Sequence, residues 1–344
     1  MMKLLSQLTK KDLEGKKVLL RVDFNVAIED GKIVEDFKIK SHKKCIEYLL
    51  ENGASVACCS HRSEAGETFN EVAGQIGKIL GKDIFFVKDV EGEAIKSAIK
   101  SHDLVLINNI ELRPEEKTND PEWAQELAGC FDLFVFDAFA SAHRSYVTRE
   151  GIMHILPSYA GFIIESETKA LSDAIATPRE GKVVVLGGAK ISTKLPVIAN
   201  FLDKAEHIVL GGALINQHEE LAKIADPKII LPRDTNPTEG NAFDIGPTAI
   251  AEYTNIICGA KFVIWNGPMG KYEDAAYAQG TRAVAEAVSR VPRSVIGGGD
   301  TIAAVNALVP SAKFTYISTG GGAMLEFLAG KRLPALEALG YYGQ

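Results

Sequence analysis

Gly297-Gly298-Gly299-Asp300-Thr301 and Ser318-Thr319-Gly320-Gly321-Gly322-Ala323 are the stretches of this chain best suited to chemistry. Each follows a short apolar run, Ser294-Val295-Ile296 and then Thr315-Tyr316-Ile317. Each also precedes a helical pattern, over 303–308 and 324–328. A glycine turn from strand to helix gathers backbone N–H groups and the positive end of a helix dipole, which together hold a phosphate. The plainer use of such a turn is backbone punctuation. Upstream, Gly187-Gly188 precede Lys190 and Lys194, whose spacing predicts two ammonium groups on one helix face. Two cations beside a helix N-terminus suit a polyphosphate, and a solvated lysine face is the alternative. Asp300 either caps its helix or offers a hard oxygen ligand to Mg²⁺.

The usual nucleotide signatures are missing. There is no Gly-x-x-x-x-Gly-Lys-Ser/Thr, and no Gly-x-Gly-x-x-Gly at the first strand with an acid about twenty residues on. His61 and His143 stand without a Ser or Cys nucleophile in a recognisable elbow.

The elements that must position these residues alternate along the chain. Apolar runs at 17–20, 54–59, 84–87, 104–107 and 133–136 read as strands, separated by helical periodicity over 39–50, 69–80, 92–100 and 121–129. Strand, helix, strand in sequence implies a parallel sheet, with its ligand crevice beyond the strand C-termini. Asp23, Asn25, His61, Glu111, Arg113, Asp137, His143 and Arg144 all fall there. After Pro157 and Gly161, residues 164–176 read as an interdomain helix. A second series follows, with strands at 183–186, 208–210, 229–231, 262–264, 294–296 and 315–317 and helices over 195–202, 215–224, 248–256 and 275–288. The expected fold is α/β, with two doubly wound, Rossmann-like parallel-sheet domains, a joining helix and a cleft between them. The divisions are 1–160, 161–178 and 179–332, with 333–344 returning to the first domain.

With 344 residues, 46% hydrophobic and 24% charged, the chain has the length and composition for two cores. A formal net charge of −7 argues against a general nucleic-acid binder. Cys45, Cys58, Cys59, Cys130 and Cys258 show no metal-ligand spacing and read as reduced thiols. No apolar run approaches the roughly 20 residues of a membrane span, so a cytoplasmic protein without membrane contact is expected.

Taken together the segments resemble phosphoglycerate kinase, nearly end to end. The motifs that carry the resemblance are Arg21-Val22-Asp23-Phe24-Asn25-Val26, Asn119-Asp120-Pro121-Glu122, Asp137-Ala138-Phe139-Ala140-Ser141-Ala142-His143-Arg144, Leu186 to Lys194, Trp265-Asn266-Gly267-Pro268-Met269-Gly270 and both glycine runs. The resemblance implies an acceptor site on the N-terminal domain, Mg-nucleotide on the C-terminal one, hinge closure and a monomer. It implies that Lys194 contacts the nucleotide phosphates, that Lys190 follows the transferred phosphoryl group, and that Asp300 holds Mg²⁺. Thr301 and Gly299 would contact phosphate and Glu273 the ribose. Gly187, Gly211, Gly212, Phe243, Asn266 and Pro268 would line the nucleoside pocket of ATP or ADP. Gly298 and Gly320 to Gly322, Gly321 among them, would meet the moving phosphate. In-line transfer asks mainly for such positioning and cations.

The acceptor half departs from the family. Asp23, Asn25, His61 and Arg144 stand, but three arginine positions read Lys38, Glu64 and Glu111. Lys38 keeps the charge and loses the bidentate fork. Each lost charge-assisted hydrogen bond is worth roughly 1.5–3 kcal/mol. A carboxylate ~5 Å from a substrate anion costs on the order of 3 kcal/mol at an effective dielectric near 20. Arg113, two residues from Glu111 in an extended segment, and Arg62, two before Glu64, are expected to replace the missing arginines. The chain between Gly212 and Trp265 reads as trimmed. The expected activity is Mg²⁺-dependent phosphoryl transfer between 1,3-bisphosphoglycerate and ADP. The alternatives are a kinase for another carboxylate acceptor and a non-catalytic nucleotide-binding interaction protein.

Overall fold

The computed structural model describes residues 1–63, 66–224 and 226–343. Valine- and leucine-rich runs form its strands. Leu104–Ile107, Leu133–Phe136 and Lys182–Leu186 are buried at every position, as expected of parallel strands covered on both faces.

Two six-stranded sheets result. The first has the spatial order Phe85–Val87, Leu104–Ile107, Ser55–Cys59, Lys17–Arg21, Leu133–Phe136, Ser158–Ala160. All five of its pairings are parallel. The second runs Ile229–Ile230, His207–Leu210, Lys182–Leu186, Phe262–Asn266, Ser294–Gly297, Tyr316–Ser318, again wholly parallel. In both, the first strand of the series lies at the centre and chain order reverses beside it, which opens a crevice at its C-terminal end. A core of Leu20, Val22, Phe24, Ile46, Leu49, Val56, Ile76 and their neighbours backs the Lys17–Arg21 strand.

The chain divides into two compact units, Met1–Glu167 with Arg332–Gln344, and Thr168–Lys331. The division falls inside one helix, Phe162–Ala176. In the first unit Ala335 N donates to Ala142 O at 3.2 Å. Of the cysteines, Cys45, Cys58, Cys59 and Cys130 are buried thiols and Cys258 is exposed.

Several elements differ from the periodicity. The pattern over 39–50 is two helices, Phe37–Ser41 and Lys43–Glu51, broken at His42, whose ring bonds elsewhere. The pattern over 215–224 is a 3₁₀ segment, Gly212–Asn216, then a short helix, His218–Ala222. Asn216 is held there by Ala242, giving to its carbonyl and taking from its N–H at 2.9 and 2.8 Å. Ser158–Ala160 is an edge strand with no apolar run to announce it.

Candidate active site

In the second unit, three strand ends are laced backbone to backbone. Gly187 N donates to Asn266 O at 2.9 Å, Gly188 N to Pro268 O at 2.9 Å, and Gly212 N to Met269 O at 2.8 Å. A Cβ at Gly187 would lie 2.2 Å from Pro268 O, and one at Gly212 would lie 2.5 Å from Gly188 N. Only glycine permits that approach. Gly211 is equally confined, by Met269.

Lys194 is buried, and its Nζ donates to Asn266 Oδ1. The Asn266 amide donates in turn to Gly297 O at 2.8 Å, and buried Thr301 accepts from Gly267 N at 2.7 Å. The first glycine run, Lys194 and the Asn266 loop are therefore one hydrogen-bonded unit. Burial lowers the Lys194 ammonium to about 8, with nearby Asp300 acting the other way. The two lysines do not share an α-helical face: Lys190 is exposed and precedes a 3₁₀ turn, Ile191–Thr193, while Lys194 precedes the helix Leu195–Phe201, which has proline in its first turn.

Helices Gly299–Leu308 and Gly321–Leu328 begin at the two glycine runs. Gly298 sits at φ 104°, a left-handed position. A Cβ on Gly321 would come within 2.8 Å of Gly298 Cα, so the two turns meet backbone against backbone. Their first-turn N–H groups have no intrahelical acceptor. Asp300 and Glu273 are exposed. Tyr272, which the motifs did not single out although it adjoins Glu273, feels both: burial, then the charges of Glu273 and Asp300, raise its phenol. Phe243, 45% exposed, packs on Tyr277 at 5.1 Å between ring centroids. A lone exposed carboxylate beside a helix N-terminus suits Mg²⁺, which binds through one or two carboxylates, substrate phosphates and water. Among the described residues no cluster of three metal-ligating side chains occurs.

The first unit gathers a charged cluster at the end of its central strand. Asp23 Oδ2 pairs with Lys38 Nζ at 3.1 Å, and Lys38 also donates to Asn25 O at 3.0 Å. Buried Arg21 donates to Thr148 Oγ1 at 2.9 Å and meets His61 Nδ1 at 3.1 Å. A guanidinium only donates, so His61 accepts at Nδ1 and carries its proton on Nε2. Burial, then Arg21, Arg149, Arg144 and Lys38, depress its proton affinity far enough to keep it neutral. Arg144 is exposed.

The expected relief of Glu111 by Arg113 is not what the structure holds. Ile110–Leu112 is a 3₁₀ turn, not an extended segment, so residues two apart do not share a side. Arg113 pairs with Glu91 at 2.7 Å and Glu115 at 3.3 Å and lies over Trp123. Glu111 pairs instead with Arg149 at 2.6 Å and Lys117 at 3.1 Å. Burial pushes the Glu111 carboxyl up, but these cations outweigh it and hold it below its ordinary value. Arg62 donates to Val26 O and pairs with Glu67 at 3.0 Å. Glu64 lies outside the described residues. Motif reading missed Lys117, Glu116, Thr148 and Arg149. Their one signal was position, since Thr148 and Arg149 closely follow Arg144.

Fold and sites together define a two-unit α/β protein with paired glycine turns at strand ends of one unit and a buried charged cluster on the other. The model of the phosphoglycerate kinase family matches residues 8–225 and 217–331. This chain belongs to the phosphoglycerate kinase family. The phosphoglycerate kinase of Moorella thermoacetica is 38% identical, covering 97% of this chain and 99% of that protein. That of Clostridium beijerinckii is 39% identical, covering 95% and 97%. Among solved structures, phosphoglycerate kinase from Pyrococcus horikoshii OT3 superposes with a TM-score of 0.88 at 30% identity over 98% of each chain, and that from Coxiella burnetii with 0.85 at 31% over 100% of each. The two matched segments of the family model meet within the stretch read as trimmed.

Proposed function

We propose that the chain moves a phosphoryl group between ATP and the carboxylate of 3-phosphoglycerate, forming ADP and 1,3-bisphosphoglycerate, and runs the reverse in glycolysis. The observation that carries this reading is the bonded unit of Lys194, Asn266, Thr301 and the Gly297–Gly299 turn, with the second glycine turn against it. A carboxylate oxygen of the acceptor forms the new P–O bond as the bond to ADP breaks, and no general base is needed because the nucleophile is already ionised. Lys194 and the first-turn N–H groups hold the nucleotide phosphates, and Lys190, whose side chain is exposed, follows the moving group. Glu273 and Phe243 orient the nucleoside. Mg²⁺ at Asp300 supplies charge neutralisation between phosphates when bound. On the other unit, Asp23, Asn25, Lys38, His61 and Arg144 hold the acceptor, with Nε2–H of His61 as a neutral donor.

The enzyme is read as a cytoplasmic monomer, in keeping with its free thiols. No helix among the described residues is long and apolar enough to cross a membrane. A coupled assay with ATP, Mg²⁺ and 3-phosphoglycerate tests the function. Turnover that disappears in Lys190→Ala supports it; tight MgADP binding without turnover sinks it.

A further inference from the structure

The acceptor cluster holds one arrangement that the motifs do not explain. Where the family resemblance calls for an arginine, the chain has Glu111. Its side chain is 7% exposed and bonds at 2.6 Å to Arg149, which is 0% exposed. Arg149 is separated from Glu111 by 38 positions in sequence. Only one nitrogen of its guanidinium is engaged there: Nε and Nη1 are buried without a hydrogen-bond partner, as is Nε of Arg21 beside it. The Arg149 guanidinium also lies over the Tyr146 ring at 4.3 Å. Thr148, its chain neighbour, accepts from Arg21 and gives its N–H and hydroxyl to buried Glu116. A lone buried carboxylate at position 111 would repel an anionic acceptor, whereas one bonded to a buried arginine does not.

We infer that Glu111 and Arg149 are a compensating pair: Arg149 is the positioning residue that cancels the negative charge Glu111 brings to the acceptor site. The inference rests on 3-phosphoglycerate as acceptor. Arg149 acts from beneath the site. It cancels Glu111 and, with Arg21, leaves Lys38, Arg144 and the His61 Nε2–H to face a substrate that carries both a phosphate and a carboxylate. Lys117, half exposed, takes the second Glu111 oxygen and is the weaker, more screened partner.

The test is steady-state kinetics on the full chain and three variants. Arg149→Met should raise KM for 3-phosphoglycerate at least about tenfold while KM for MgATP stays within about twofold, since a carboxylate left with only the exposed, screened Lys117 then faces the acceptor. Adding Glu111→Gln should return the acceptor KM to within about threefold of the parent, which a purely structural role for Arg149 would not do. Glu111→Gln alone, with Arg149 intact, should tighten acceptor binding, most clearly at low salt. An unchanged acceptor KM in folded Arg149→Met, or a double variant no better than the single, overturns the compensation. If Arg149→Met does not fold, Glu111→Gln decides, and equal or weaker acceptor binding overturns it. A parent chain that does not turn over 3-phosphoglycerate overturns the functional reading and the compensation together. An active parent with unresponsive variants overturns the compensation alone.

Discussion

His42 and Asp137 form a fully buried pair, Nδ1 to Oδ2 at 3.0 Å. The ring's other nitrogen accepts from Asp23 N at 2.9 Å, so Nδ1 carries the proton and donates to the carboxylate. Asp137 Oδ1 accepts from Ile163 N at 2.7 Å, at the start of the helix Phe162–Ala176. One imidazole thus ties the acceptor-site backbone to that helix. His42→Leu strands a buried carboxylate oxygen and a buried N–H, and should cost about 3 kcal/mol. Urea unfolding at neutral pH measures it, and a loss under about 1 kcal/mol would show that the pair is not what holds the joint.

Nucleotide affinity should depend on pH through Lys194. Its free-state value of about 8 rises when phosphates surround it, so above about pH 8 binding must draw in a proton. The affinity for MgADP then falls as pH increases, by up to about tenfold per unit. Calorimetry between pH 7 and 9 in buffers of different ionisation enthalpy reads both the slope and the proton. A flat profile in the parent chain, or an unchanged slope in Lys194→Gln, refutes the assignment.

The contact between the glycine turns predicts a steric penalty without loss of charge. Gly321→Ala puts a methyl group 2.8 Å from Gly298 Cα, and backbone cannot move aside as a flexible side chain does. We expect kcat to fall at least about tenfold, since a displacement near 1 Å at a transfer site costs that much or more. Gly298→Ala adds positive-φ backbone strain of roughly 1–3 kcal/mol. Wild-type kcat in folded Gly321→Ala would mean that the second turn does not meet the moving phosphate.

Lys182 gives a separate stability signature. It is wholly buried, donates to Ile175 O at 2.9 Å, and burial pulls it down to about 8, with Lys204 adding to the effect. In the unfolded chain it titrates near 10.4, so between about pH 8 and 10 the unfolded state binds more protons and this group makes stability rise with pH. Lys182→Met should flatten that rise and be at least as stable as the parent at pH 7. Thermal melts across the window decide, and an identical pH slope in the variant argues against it.

Both parallel sheets, and all their strands but Ser158–Ala160, were legible because buried parallel strands are continuous apolar runs and glycines mark many of their ends. The grouping of Lys194, Asn266 and Thr301 was legible as well, since each lies in a contiguous motif at a strand end. Two local readings failed for one reason, which is that side-chain direction depends on the exact turn. Lys190 and Lys194 were placed on a helix that begins only after Lys194, and Glu111 and Arg113 on an extended segment that is a 3₁₀ turn. The Glu111–Arg149 pair was out of reach because it joins residues far apart in sequence. They meet only because the chain following Leu104–Ile107 and the chain following Leu133–Phe136 come together beyond the two strands, Ser55–Cys59 and Lys17–Arg21, that lie between these two in the sheet.

The distribution of thiols gives this chain a built-in single labelling site. Burial raises Cys45, Cys58, Cys59 and Cys130 above the ordinary thiol range, while Cys258 ends the helix Pro247–Cys258 in the open. A maleimide fluorophore or spin label applied to the native protein therefore goes to one position on the second unit. Anisotropy and probe mobility can then be read from the unaltered sequence, and the appearance of further reactive thiols serves as a clock for unfolding.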